Sequence, residues 1–368
     1  MNDKNNINSL QVGVLLFYVA RASFFGIGLN EIEKIAHQDA WLSILIGAVI
    51  GLIPLFIYIY ISKRYPNQNI LEIITTLFGK IIGSVINFIL LIIILYMSAT
   101  IFICLILFIQ TNLIIRTPNL VISIIFLIPI SLAAIKGLEV FSRMGLILFV
   151  GAITIYTLGA IGLIPYLEIQ NIKPTFEYGI YPIIKGALYY VSITVTPLFL
   201  ILIIPQKNIT DTKYYNRSIL GWYLFVNIIT FITLFWTLTV LGPKLVTLYN
   251  FPTYTILKKI SFLDFIERVE NNVVWNLLLD SIFILILSLY FIKEITISTL
   301  GIKKKKWEIL PIIISSLILL IISSFLIPNI IEIHFILIKS FGLFLGISIF
   351  LLTIIIFIRA LFDKNQTT

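Results

Sequence analysis

Phe25-Gly26-Ile27-Gly28 interrupts the first long apolar run of the chain, and Thr194-Val195-Thr196-Pro197 interrupts the sixth. Unwound backbone is tolerated at membrane depth only where it is buried in protein or lines a cavity. Interruptions at matching positions of two halves are typical of a transporter-like fold with a binding site near the bilayer midplane. These two short stretches therefore predict both the fold class and the place of a ligand site.

Composition supports a membrane protein. Hydrophobic residues make up 60% of the chain, charged residues 12%, and the mean hydropathy is +1.08, which excludes a soluble globular protein. Apolar runs of about 20 residues predict transmembrane helices, whereas barrel strands would appear as alternating segments of about 10 residues. We expect one all-α transmembrane domain over residues 1–368, with a first repeat at about 9–164 and a second at about 181–360. The predicted spans are 9–36 (broken), 40–62, 82–112, 118–135, 141–164, 181–204 (broken), 218–241, 273–300, 308–327 and 335–360.

The distribution of lysine and arginine predicts the orientation. With the N-terminus in the cytoplasm, the inner segments carry fifteen of these residues and the outer segments six, four of them in the long 242–272 loop. Positive residues favour the cytoplasmic side, so both termini are predicted to be cytoplasmic. The net charge of +9 then requires no nucleic acid partner, because Lys303 to Lys306 would face anionic lipid at a cytoplasmic helix end.

The sequence gives no indication of catalysis or of a metal or cofactor. Cys104 is the single cysteine, and His37 and His334 lie far apart without metal-ligand spacing. Zinc, phosphate-loop, dinucleotide and nucleophile-elbow motifs are absent from the sequence, so we do not expect an enzyme.

Two segments are predicted to fold without spanning the membrane. Residues 69–80 alternate apolar and polar side chains at helical spacing, as an interfacial helix at the inner surface would. Residues 251–270 place Ile256, Ile260 and Ile266 on one face. This second segment is either a lid over a site or a plain connecting helix.

The two interruptions suggest how a ligand could be held. Freed amides at Gly26 to Gly28 suit a carboxylate, while Ser192, Thr194 and Thr196 could hold an ammonium group. Taken alone, the glycines would more simply indicate close helix packing.

Charged residues inside apolar spans indicate function by default, since they are costly in lipid. Arg21, Lys185 and Asp280 lie deepest. Arg21 could pair with Asp280, or it could extend its side chain to the cytoplasm. The charges nearer to helix ends are predicted to reach the interface: Glu31, Glu33, Lys34, Lys293 and Glu294.

Several short motifs carry a resemblance that covers essentially the whole chain. The sequence resembles the B subunits of spore germinant receptors, the GerAB-like family, in the order of six motifs: His37 to Ser43, Arg64-Tyr65-Pro66, Phe78 to Gly83, Thr117-Pro118, Lys136 to Glu139 followed by Arg143, and Phe265 to Glu270. That family belongs to the amino acid–polyamine–organocation transporter superfamily. The resemblance implies a LeuT-like five-plus-five inverted repeat with helices 1 and 6 broken.

The resemblance also implies which other residues line the pocket, because the third and eighth spans flank the broken helices in LeuT-like folds. The predicted ligand-binding residues are Phe25, Gly26, Ile27, Gly28, Tyr96, Thr100, Ser192, Thr194, Thr196, Leu198, Ser281, Ser288 and Tyr290. A positive group such as Arg21 could replace the sodium ion of LeuT-like relatives. Gly47 with Gly51, and Gly342 with Gly346, indicate helix contacts instead.

In function, the resemblance implies a subunit of the spore inner membrane that senses a small nutrient, typically an amino acid. It would act beside an A subunit and a lipoprotein C subunit, with both termini on the spore core side. Two alternatives stay open: a proton- or sodium-coupled amino acid symporter, and a scaffold with a vestigial pocket. The sequence does not identify the nutrient.

Overall fold

The computed structural model describes residues 6–23, 28–257, 271–302, 304–325 and 330–363, and this part of the chain is helical. Its α-helices are α1 Ser9–Ser23, α2 Leu29–Ala36, α3 Ala40–Ile50, α4 Leu52–Arg64, α5 Ile70–Phe78, α6 Lys80–Asn112, α7 Asn119–Lys136, α8 Leu138–Leu163, α9 Ile180–Tyr190, α10 Thr212–Leu241, α11 Pro243–Val246, α12 Pro252–Leu257, α13 Asn271–Leu300, α14 Leu310–Phe325 and α15 Ile330–Phe362. Every predicted span corresponds to a helix or to a broken pair of helices.

The first span is divided, as predicted, into α1 and α2. Gly28 is buried and directly precedes α2. Phe25, Gly26 and Ile27 lie outside the described residues. The turn His37–Asp39, in which His37 has φ 50°, then ends α2 and leads into the second span.

The sixth span is also broken, as predicted. Helix α9 ends at Tyr190, a π turn follows over Val191–Val195, and a 3-10 segment runs over Thr196–Ile203. Pro197 has no N–H to donate to the preceding turn, which explains why regular α-helix does not continue here.

Nine apolar helical segments of the described residues are long enough to cross a bilayer, and one of them joins Leu29 to Arg64. That segment has 36 residues, whereas about 20 suffice for one crossing. Because the turn at His37 to Asp39 interrupts it, α2 completes the first span and α3 with α4 form the second. The protein is an integral membrane protein with about ten spans.

Burial distinguishes central from peripheral helices. Helix α1 is buried on every side, from Val12 to Ala22, and it packs against α8, α10, α13 and both parts of the sixth-span break. A helix that is apolar all round belongs in the middle of a bundle. By contrast, α7 and α14 each present apolar side chains outward, including Ile125 and Leu317, as lipid-facing helices do.

Of the two segments predicted to fold without spanning the membrane, the structure describes the first completely and the second only in part. Helix α5 forms within residues 69–80, with Asn69 and Glu72 making a capping box at its start and with one face packed on α6. In the second segment, α12 covers Pro252–Leu257, and residues 258–270 lie outside the described part of the chain.

Both predicted glycine pairs are helix contacts. A Cβ at Gly47 would lie 2.9 Å from the Ala187 carbonyl oxygen of α9, and one at Gly51 would lie 2.4 Å from the Tyr223 hydroxyl of α10. A Cβ at Gly346 would lie 2.1 Å from the Ser192 hydroxyl oxygen. Glycine is required at these positions because backbones and side chains approach so closely.

We predict that Lys244 faces outward and Lys304 faces the cytoplasm; both side chains are exposed. In a Cys104→Ser background, Lys244→Cys in intact cells should react with an impermeant maleimide. Lys304→Cys should react only after the membrane is permeabilised. The opposite labelling pattern would contradict the orientation derived from the charge distribution.

Candidate functional site

The helices on either side of the first-span break pack against the sixth span. Helix α2 packs against α9, and a Cβ at Gly186 of α9 would lie 3.4 Å from the Cβ of Ala36 near the end of α2. Helix α1 contacts both the π turn and the 3-10 segment. The two broken spans are therefore neighbours inside the bundle, as they are in a transporter-like fold.

Thr194, in the π turn, is fully buried and lies beside the Tyr190 hydroxyl. That hydroxyl is 2.8 Å from the Asn227 Oδ1 atom and 2.9 Å from the Thr230 Oγ1 atom. These contacts connect the sixth-span break to the seventh span. Sequence reasoning did not select Tyr190, Asn227 or Thr230, although polar residues spaced three or four apart on α10 give the signal.

Ser192 and Thr196 do not extend this polar group. The Ser192 hydroxyl donates to the Leu188 carbonyl at 3.0 Å, and its side chain packs against Gly346 of α15. The Thr196 hydroxyl lies at the Val191 and Ser192 carbonyls of its own turn. The expectation that three hydroxyls line one ammonium site is therefore corrected, because the irregular helix turns Ser192 outward and Thr196 back onto its own backbone.

The deepest charges form an ion pair. The Nη2 atom of Arg21 lies 3.4 Å from the Oδ2 atom of Asp280, and the two side chains are 0% and 1% exposed. Arg21 also lies 3.5 Å from the Asn276 Oδ1 atom and 4.5 Å from the centre of the Phe17 ring. Arg21 therefore does not extend to the cytoplasm, and its charge ties α1 to α13.

Two other charges are placed differently from the sequence-based expectation. Lys185 is exposed on α9, so it is not an interior coupling charge. Glu33, expected at the interface, is 1% exposed, and its Oε1 atom lies 2.7 Å from the Thr237 hydroxyl oxygen of α10. The face of α2 that carries Glu33 points into the bundle. The sequence does not predict this orientation, because the helix is short and of mixed polarity.

The predicted pocket walls are buried or half-buried, but they are not all at one level. Helices α1 and α13 run antiparallel, with Tyr18 stacked on Phe283 at 4.3 Å and Arg21 beside Asp280. Tyr290 lies ten residues beyond Asp280 on α13, about 15 Å along the axis, on the side away from Gly28. One amino acid cannot contact both Gly28 and Tyr290, so Tyr290 does not belong with the other predicted ligand-binding residues. Ser288 lies about 12 Å beyond Asp280 in the same direction, so the same holds for Ser288.

The remaining predicted walls lie on the third, sixth and eighth spans. Thr100 is fully buried and donates to the Tyr96 carbonyl at 3.0 Å, while the Tyr96 ring packs edge-on against Phe344. Leu198 and Ser281 are also buried. Helix α6 packs along α13, so the third and eighth spans are neighbours, as the resemblance implied.

A cleft reaches Arg21 between α8, α10, α12 and α13. Its walls are mainly apolar, with polar groups from Arg21, Tyr156, Thr233, Thr253 and Asn276. Mainly apolar walls with a few polar groups are typical of small-molecule sites. Thr253, Ile256 and Leu257 of α12 cover one side, so the segment considered as a lid does border a cleft.

Comparison with known proteins identifies the family. A family model described as "Spore germination protein" matches residues 6–330. The chain belongs to this spore germination protein family. Spore germination protein KB of Bacillus subtilis (strain 168) is 24% identical over 293 residues, which cover 77% of this chain and 76% of that protein. The putative spore germination protein YfkT of the same organism is 26% identical over 239 residues, which cover 64% of each chain.

A solved structure confirms the fold class of this spore germination protein. It is a substrate-bound, outward-open state of a Na⁺-coupled sialic acid symporter, with a TM-score of 0.69 and 12% identity. The match covers 95% of this chain and 79% of that chain. At this identity the similarity shows the LeuT-like fold alone.

We predict that the Arg21–Asp280 pair stabilises the fold as a unit. Arg21→Gln or Asp280→Asn alone should reduce the free energy of unfolding by about 3–5 kcal/mol, because each leaves a buried charge without its partner. The double variant should recover at least half of that loss. Thermal unfolding of the purified protein in detergent measures both.

The surface pair of Arg143 and Glu139 provides the control, because Arg143 is 66% exposed. Arg143→Gln should change stability by no more than about 1 kcal/mol. If the double variant at Arg21 and Asp280 lost the sum of the two single losses, the two charges would not act as a pair.

Proposed function

We propose that this spore germination protein is the B subunit of a germinant receptor that binds a small nutrient, with an amino acid as the favoured class. The observation that carries the proposal is the family match over most of the chain together with two broken spans that pack together in a transporter-like bundle. Binding would signal through A and C subunits of the receptor in the spore inner membrane. The proposal includes no chemical change of the nutrient.

The cleft that ends at Arg21 is the proposed nutrient site. Arg21 lies near the end of α1, so a ligand at the inner end of the cleft would contact the helix that leads into the first-span break. The guanidinium and the Asn276 amide offer donors to a carboxylate, and Thr233 offers a hydroxyl. The apolar walls, including Ile155, Leu163 and Trp236, would contact an apolar side chain.

Signalling then follows from a shift between two arrangements of the bundle. A nutrient that binds one arrangement more tightly shifts the equilibrium toward it, and a partner subunit can respond to that shift. Helix α12 borders the site and is an element that such a shift would move. A coupled symporter would use the same cleft, and it differs by accumulating the nutrient against a gradient.

We predict that filling the cleft weakens the nutrient response. Among the described residues, a Cβ at Gly159 would contact only the Leu257 methyl groups, at 3.8 Å, so Gly159→Val should fold and occupy space in the cleft. Methyl-scale changes in a pocket alter discrimination by about 1–3 kcal/mol. In spores with the whole receptor, the half-maximal nutrient concentration should therefore rise about tenfold, measured over a panel of amino acids.

Gly151 is the matched control on the same helix, because a Cβ there would meet no atom within 4 Å among the described residues. Gly151→Val should leave the dose–response curve unchanged at equal protein level. An unchanged curve for Gly159→Val, again at normal abundance, would remove the nutrient from this cleft.

A further inference from the structure

Glu33 is a buried acid whose surroundings suit its neutral form. It lies in α2, the outer half of the first span, and it is 1% exposed. Its Oε2 atom has no hydrogen-bond partner among the described residues. An ionised carboxylate in such a place would lose its hydration without adequate compensation.

Thr237 gives Glu33 its hydrogen bond to α10. The Thr237 hydroxyl lies 2.7 Å from the Glu33 Oε1 atom and donates to it, and it shares its proton with the Leu234 carbonyl oxygen at 2.8 Å. One shared hydroxyl proton compensates an ionised buried carboxylate only in part, whereas a protonated carboxyl needs less compensation. The burial of Glu33 therefore favours its protonated form.

Charged groups around α2 do not neutralise Glu33. The elements packed on α2 are α3, α9, α11 and the turn at His37 to Asp39, besides the α10 contact at Thr237. Besides Glu33, the charged or titratable groups of α2, the turn, α9 and α11 are Glu31, Lys34, His37, Asp39, Tyr181, Lys185, Tyr189, Tyr190 and Lys244. Those of α10 lie toward its start, at Lys213, Tyr214, Tyr215, Arg217 and Tyr223. Lys34 pairs with Glu31 at 2.9 Å, and Lys185 and Lys244 are exposed. Within the described part of the chain, no ion pair includes Glu33.

We infer that Glu33 and Thr237 form a proton-binding site that holds the outer half of the first span against the seventh span. The carboxyl keeps its proton while α2 is packed in the bundle. When α2 moves away from α10, the carboxyl reaches water and releases the proton to it. The effect on nutrient sensing rests on the proposed function, whereas proton binding itself does not.

Infrared difference spectroscopy of the purified full chain tests the protonation state. The C=O stretch of a protonated carboxylic acid should be present at neutral pH and should shift on transfer to deuterated water. Glu33→Gln should remove this band, because the amide keeps the hydrogen bond to Thr237 without a titratable proton. Glu31→Gln, on the exposed side of the same helix, should retain it. A band that survives Glu33→Gln would overturn the assignment.

Thiol labelling tests the coupling to movement. Ile32 is fully buried beside Glu33, so Ile32→Cys in a Cys104→Ser background reports exposure of α2. The labelling rate of Ile32→Cys is divided by the rate of the same variant that also carries Glu33→Gln. The pH dependence of the thiol itself is common to both proteins and cancels in this ratio. This ratio should rise with pH, by up to about tenfold per unit for one released proton. A flat ratio would overturn the coupling, and because neither assay contains a nutrient, failure here leaves the cleft assignment untouched.

Discussion

Lipid cannot hydrogen-bond to peptide groups, and this constraint determines how the whole chain is built. It forces long regular helices wherever lipid is the neighbour, as on α7 and α14. It permits irregular backbone only within the bundle, where the π turn and 3-10 segment of the sixth span are buried except for the half-buried Ser192. Helices α1 and α15 pack against this irregular region, so the neighbouring helices and the sixth-span break stabilise one another.

Polar contacts along α10 connect the interior sites. Asn227 and Thr230 meet Tyr190 at the sixth-span break, Thr233 meets Tyr156 beside the Arg21 cleft, and Thr237 meets Glu33. One helix therefore contacts the break, the proposed nutrient site and the proposed proton site. Because α10 is one rigid helix, a displacement at one of these places would also move the other two. Nutrient binding could be coupled to a signal in this way.

Sequence reasoning predicted the fold well because each span and each break has a strong local signal. Span length, glycine pairs and Pro197 depend on local chain chemistry and the bilayer alone. The site was harder to predict, because it depends on which helix faces turn toward each other. Lys185 and Glu33 exchanged roles for this reason: both are charged residues near helix ends, and only packing against α9 and α10 distinguishes the exposed one from the buried one. Tyr290 was misplaced because sequence gives no depth along a neighbouring helix.

Nutrient sensing by this protein requires that the chain itself binds the nutrient. Equilibrium binding of a radiolabelled germinating amino acid to the purified chain in lipid nanodiscs tests it directly. We predict saturable binding at one site per chain, competed by unlabelled nutrient and weakened when the cleft is filled at Gly159. If no nutrient that triggers the spores bound saturably to the well-folded protein, the chain would not be the nutrient-sensing subunit.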